Sequence, residues 1–105
     1  MKVISESLPA EIAEQIERAV NWTIGGFENS LADGYVYEDN LPSPEELTDE
    51  VYDDLMHATF YEGGVGPGPI PAIAENPNPV YYKAIISMLI ARMYMAGELD
   101  WMGWD

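Results

Sequence analysis

The run Asn78-Pro79-Val80 to Ala96-Gly97 constrains the fold more than any other stretch. Asn78 is an N-cap candidate, Pro79 suits the first helical turn, and Gly97 is a C-terminal stop. Between them Val80, Tyr81, Ala84, Ile85, Ile86, Met88, Leu89, Ile90, Met93, Tyr94 and Met95 make the helix apolar nearly all round. A helix of that kind is central to a bundle or lies at an oligomer interface. Lys83 and Arg92 interrupt it, and the uncharged run between them is far short of the ~20 residues a membrane span needs.

Two further helices are expected to surround it. The first starts near Ser7 with Pro9 in its first turn, and its apolar stripe is Ile12, Ile16, Ala19, Val20, Thr23, Ile24, Phe27 and Leu31. Gly25-Gly26 is expected to kink or end it, or to admit a close neighbour. Tyr35, Val36 and Tyr37 are expected to form a short extended piece. Ser43-Pro44-Glu45-Glu46 then combines an N-cap, a first-turn proline and a capping-box glutamate. Before the last helix stands "EGGVGPGPIPAIAENPNP", read as a linker, partly polyproline-like and too proline-rich for helix. The expectation is one domain over residues 1–105, an all-α bundle of three main helices with a long Gly/Pro-rich connection, 63–79.

The second helix carries the chemistry. On a helical wheel Leu47, Val51, Leu55 and Ala58 share one face, and the opposite half holds only acids. Glu45, Asp49 and Asp53 form one ladder, and Glu46, Glu50 and Asp54 a second. Like charges four residues apart destabilise a helix by roughly 0.2–0.5 kcal/mol per pair. No Lys or Arg lies between Arg18 and Lys83, so nothing nearby in the chain relieves them. Charges repeat every ~2.3 Å along the helix axis, against ~1.7 Å along duplex DNA. Glu38 and Asp39 extend the patch, and Glu11, Glu14 and Glu17 extend it further if the first two helices lie side by side.

Composition narrows the function classes. Nineteen acids against four bases leave a net charge of -15. Direct binding to nucleic acid or to an anionic membrane is thereby disfavoured, and a basic partner or a cation is favoured. The chain has no cysteine, hence no disulfide or thiolate site. No signal peptide is recognised, so Asn21-Trp22-Thr23 carries no weight as a glycosylation sequon, and a cytoplasmic location is expected. Enzymatic activity is not expected. His57 is the sole histidine, the serines lack a nucleophile context, and "GGVGPGP" is no phosphate loop. Asp49, Asp53 and His57 share a face with metal-ligand spacing, but closed sites recruit ligands from several elements, so no metal and no cofactor is assigned. Trp101 and Trp104 either fold back as core or form a secondary partner contact.

In "EELTDEVYDD", the -15 charge, the absence of cysteine and the small size, the chain resembles the acidic inhibitors that phages and mobile elements use against restriction enzymes and CRISPR effectors. The resemblance is to a functional class, the DNA mimics, several of which are compact helical folds that fill a DNA-binding channel. It implies a non-enzymatic, anti-CRISPR or anti-restriction inhibitor acting in the cytoplasm of the host cell. Its partner would be a basic nucleic-acid-binding protein or complex, met through Glu38, Asp39, Glu45, Glu46, Asp49, Glu50, Asp53 and Asp54. A second reading makes the chain an acidic adaptor, assembly chaperone or particle subunit that docks, or pairs as a homodimer, through the last helix. A third is cation binding by the same acids.

Overall fold

The computed structural model describes residues 10–57, 71–74 and 78–104 and shows a small all-α bundle. Its helices are α1 (Ala10–Ala32), α2 (Pro44–His57), the single turn α3 (Pro71–Ala74) and α4 (Pro79–Met95). Short 3-10 turns occupy Glu38–Asn40 and Asp100–Met102. The expected start of the first helix near Ser7 lies outside the described residues. No helix among them is long and apolar enough to cross a membrane.

The helix ends follow from side-chain chemistry. Ser43 and Glu46 close a reciprocal capping box: the Glu46 amide donates to Ser43 Oγ at 3.1 Å, and the Ser43 amide donates to Glu46 Oε1 at 2.9 Å. The Tyr81 amide donates to Asn78 Oδ1 at 3.1 Å and caps α4. Both long helices close with a Schellman turn. In α1 the Tyr35 amide reaches Ser30 O and the Gly34 amide reaches Leu31 O; in α4 the Glu98 amide reaches Met93 O and the Gly97 amide reaches Tyr94 O. Gly34 and Gly97 sit at φ 80 and φ 82, which side chains with a Cβ rarely adopt.

Three local expectations are corrected. Gly25-Gly26 does not end α1, which runs on to Ala32, and admits no close neighbour, since an added Cβ at either glycine would meet nothing within 4 Å. Tyr35–Tyr37 form no strand, because the amides of Tyr35 and Val36 both turn back to Ser30 O. The proline-rich connection does contain helix: Pro71 opens the turn α3, where a missing amide costs nothing, and Ile73 is 0% exposed. The remainder of that connection lies outside the described residues.

The core forms where α1, α2 and α4 meet. Ile16, Val20, Leu47, Val51, Leu55, Ile73, Ile86 and Leu99 are fully enclosed, and Trp101 and Trp104 pack half-buried against them. α2 runs antiparallel to both neighbours. Thr23 meets Asp54 while Phe27, further along α1, shares a cleft with Glu46; Lys83 meets Asp49 while Tyr94, further along α4, shares a depression with Pro44. The C-terminal residues are tied back by Trp104, whose indole Nε1 donates to Pro42 O at 2.9 Å.

Candidate functional site

α2 buries Leu47, Thr48, Val51 and Leu55 and turns its acids outward. Thr48 is a buried polar residue, and its hydroxyl is satisfied by Pro44 O one turn back, at 2.9 Å. The two acid ladders of the sequence are therefore real, and one helix presents Glu45, Glu46, Asp49, Glu50, Asp53 and Asp54 together.

Nothing nearby in the chain relieves these acids, but tertiary contacts relieve some of them. Lys83 Nζ of α4 lies 3.0 Å from Asp49 Oδ1 and 5.3 Å from the centre of the Tyr52 ring. Both partners of this ion pair are substantially exposed, so it stabilises by less than about 1 kcal/mol. Thr23 Oγ1 of α1 donates to Asp54 Oδ2 at 2.6 Å, and Asp54 is only half exposed. Glu46 serves the capping box. His57 Nδ1 lies 2.8 Å from Asp53 O and 3.4 Å from Asp53 Oδ1, as a residue in the last turn of a helix can. Asp53 and His57 thus face each other while Asp49 faces Lys83, and no three metal-ligating side chains converge among the described residues.

The acids divide by role. Glu46, Asp49 and Asp54 each hold the fold to itself, whereas Glu45, Glu50 and Asp53 point to solvent. Glu46, Asp49, Glu50 and Asp53 line an open cleft of about 420 Å³ with Phe27, Asn40 and Pro42. Asn40 ends the 3-10 turn that also holds Glu38 and Asp39, so that turn lies at the edge of the cleft; Asp39 is exposed. Glu17 does not join the patch. It lines a separate depression with Leu89, Arg92 and Met93 of α4. Trp101 and Trp104 are half-buried and hydrogen-bonded to backbone carbonyls, Trp101 Nε1 to Glu98 O at 3.1 Å.

One candidate was missed in the sequence. Trp22 is 50% exposed and lines a depression of about 240 Å³ with Gly26, Phe27, Glu50 and Asp54. An aromatic face beside carboxylates suits a guanidinium, which can stack on the ring while pairing with the acid. Its signal was available: Trp22 falls off the α1 stripe between Ala19 and Thr23, so burial does not explain it.

The site therefore offers geometrically ordered carboxylates on a rigid helix, with no nucleophile–base pair among them. Compared with known proteins, the chain matches no family model, no curated protein and no solved structure.

Proposed function

We propose that this protein is a non-enzymatic inhibitor that imitates the nucleic-acid phosphate backbone and occupies the phosphate-binding surface of a DNA-binding effector, such as a CRISPR–Cas complex or a restriction enzyme of a phage's host. The observation that carries the reading is the row of outward carboxylates along α2, held by the capping box at one end and by Lys83 and Thr23 along its length. Rigid spacing matters, because a basic groove that reads phosphates rewards charges already in place. Glu45, Glu50 and Asp53 would pair with its Lys and Arg side chains, Trp22 would stack on an arginine, and Glu38 and Asp39 would extend the contact. The net charge of -15 would speed association and make it salt-sensitive.

The test is capture from host lysate with the intact protein and with two variants, Glu50→Lys/Asp53→Lys and Trp22→Ala. These positions are chosen because Asp49 and Asp54 also hold helices together, and reversing them would mix folding with binding. The expected outcome is a captured nucleic-acid-binding complex that added duplex DNA displaces, with roughly tenfold or greater loss in the double variant. A partner retained by the double variant and indifferent to DNA would end this reading.

The adaptor reading is favoured by a different observation. α4, so apolar in sequence, leaves Val80 81% and Met95 85% exposed.

A further inference from the structure

α4 buries Tyr82, Ile85, Ile86 and Ile90. Its other side carries Val80, Ala84, Ser87, Ala91 and Tyr94, spaced four, three, four and three residues apart, and all exposed. That is the spacing of a seam that receives another helix, and the small residues at its centre leave room for close approach.

The seam is one wall of a groove. A depression of about 490 Å³ lies between Pro44, Glu45, Thr48 and Asp49 of α2 and Val80, Lys83, Ala84 and Ser87 of α4. A second, of about 190 Å³, is lined by Pro44, Thr48 and Ser87 again, with Ile90, Ala91, Tyr94 and Trp104. The shared residues make the two depressions one continuous groove. Trp104 closes its far end, fixed by its bond to Pro42 O and by the Tyr94 hydroxyl, which donates to Trp104 O at 3.3 Å. From Val80 to Tyr94 the seam is about 21 Å long, enough for a helix of about 14 residues.

Charge decides between occupants. The α2 rim is acidic through Glu45 and Asp49, and Lys83, the sole base among the described residues that line the groove, is already engaged by Asp49 at 3.0 Å. A second copy would bring another fifteen negative charges to this surface and be repelled. A cationic helix would be attracted, and its Lys or Arg could replace Lys83 on Asp49. We propose that the groove between α2 and α4 binds a basic amphipathic helix of a partner protein, with small apolar side chains against Ala84, Ser87 and Ala91 and basic ones against Glu45 and Asp49. The proposal stands apart from phosphate imitation, which relies on Glu50, Asp53 and Trp22 on the α1 side of α2, and the two readings share only Glu45.

The test measures binding of synthetic peptides of about 14 residues by calorimetry. One places Leu and Ala at helical spacing with Lys on the flank; the other is its scramble, with equal charge and no apolar face. The intact protein is compared with Ala84→Glu/Ala91→Glu, whose fold is checked by helical circular dichroism. The amphipathic peptide should bind at least about tenfold tighter than the scramble, and the variant should lose at least about tenfold for it. The variant adds negative charge, so attraction by charge alone would make it bind tighter, and that result would overturn the proposal. Equal affinity for the scramble would overturn it by a measurement that needs no variant. So would sedimentation showing a dimer of the intact protein that the peptide does not dissociate, since the second copy would then be the occupant. Loss of peptide binding with DNA-sensitive capture intact would leave the phosphate-imitation reading standing.

Discussion

Tyr82 is the one described side chain whose ionisation the fold clearly changes. It is buried in α4, and burial pushes its phenol above the ordinary 10.0, helped by the neighbouring rings of Tyr81 and Tyr52. In the unfolded chain the phenol ionises first. Its contribution to stability is therefore complete below pH 10.0 and is lost as pH rises through the higher folded value. Urea melts of the intact protein should show stability falling as pH rises above 10.0, and Tyr82→Phe should flatten that fall. An equally steep decline in the variant would place the alkaline sensitivity elsewhere. At this scale much of the chain was legible in advance. Ser43, Glu46, Asn78 and Gly97 act within a few residues of themselves, so their roles can be read locally. The partners of Asp49 and Asp54 could not be, because Lys83 and Thr23 come from other helices and depend on how those helices cross.

Among the elements, α1 and α3 depart most from expectation, for the same reason. Two adjacent glycines each cost about 1 kcal/mol in a helix interior, yet Ile24 before them is buried and Phe27 after them packs on the core. Packing on both sides carries α1 across them, since most helix stability in a folded protein comes from the apolar face. α3 is the converse case. A four-residue helix has no stability of its own, and Ile73 anchors it in the core. Ile73→Ala should cost about 2–5 kcal/mol by deleting a fully buried side chain and leaving a cavity. That is large for a residue in a stretch that reads as a linker. Chemical denaturation would measure it, and a loss of only a few tenths would mean that α3 is not held by the core. The polar–apolar division of α2 was the most legible element feature, because an amphipathic helix displays its buried face in its own spacing. Which part of α4 stays uncovered was not legible, since its sequence is apolar on both sides.

For the whole molecule the governing quantity is charge, and it acts with opposite signs on folding and on binding. The fifteen excess negative charges repel one another in the compact state more than in the extended one. The pair of Lys83 with Asp49 is exposed and offsets little of this. Screening should therefore stabilise the fold. At 0.01 M salt the Debye length is about 30 Å, longer than any helix here except α1, and at 0.15 M it falls to about 8 Å. The melting temperature should rise by at least about 4 °C between those conditions, the shift expected of roughly 1 kcal/mol in a domain of this size. The same salt should weaken capture of a basic partner, because steering and charge pairing are screened together. The two measurements constrain each other. A melting temperature that rises while capture falls is the signature of acids maintained at a cost to the fold for the sake of a basic partner. A melting temperature indifferent to salt would mean that the charges are spread widely enough to cost nothing. The acidic face of α2 would then need no function to explain its persistence, and the groove along α4 would be the better place to seek the partner.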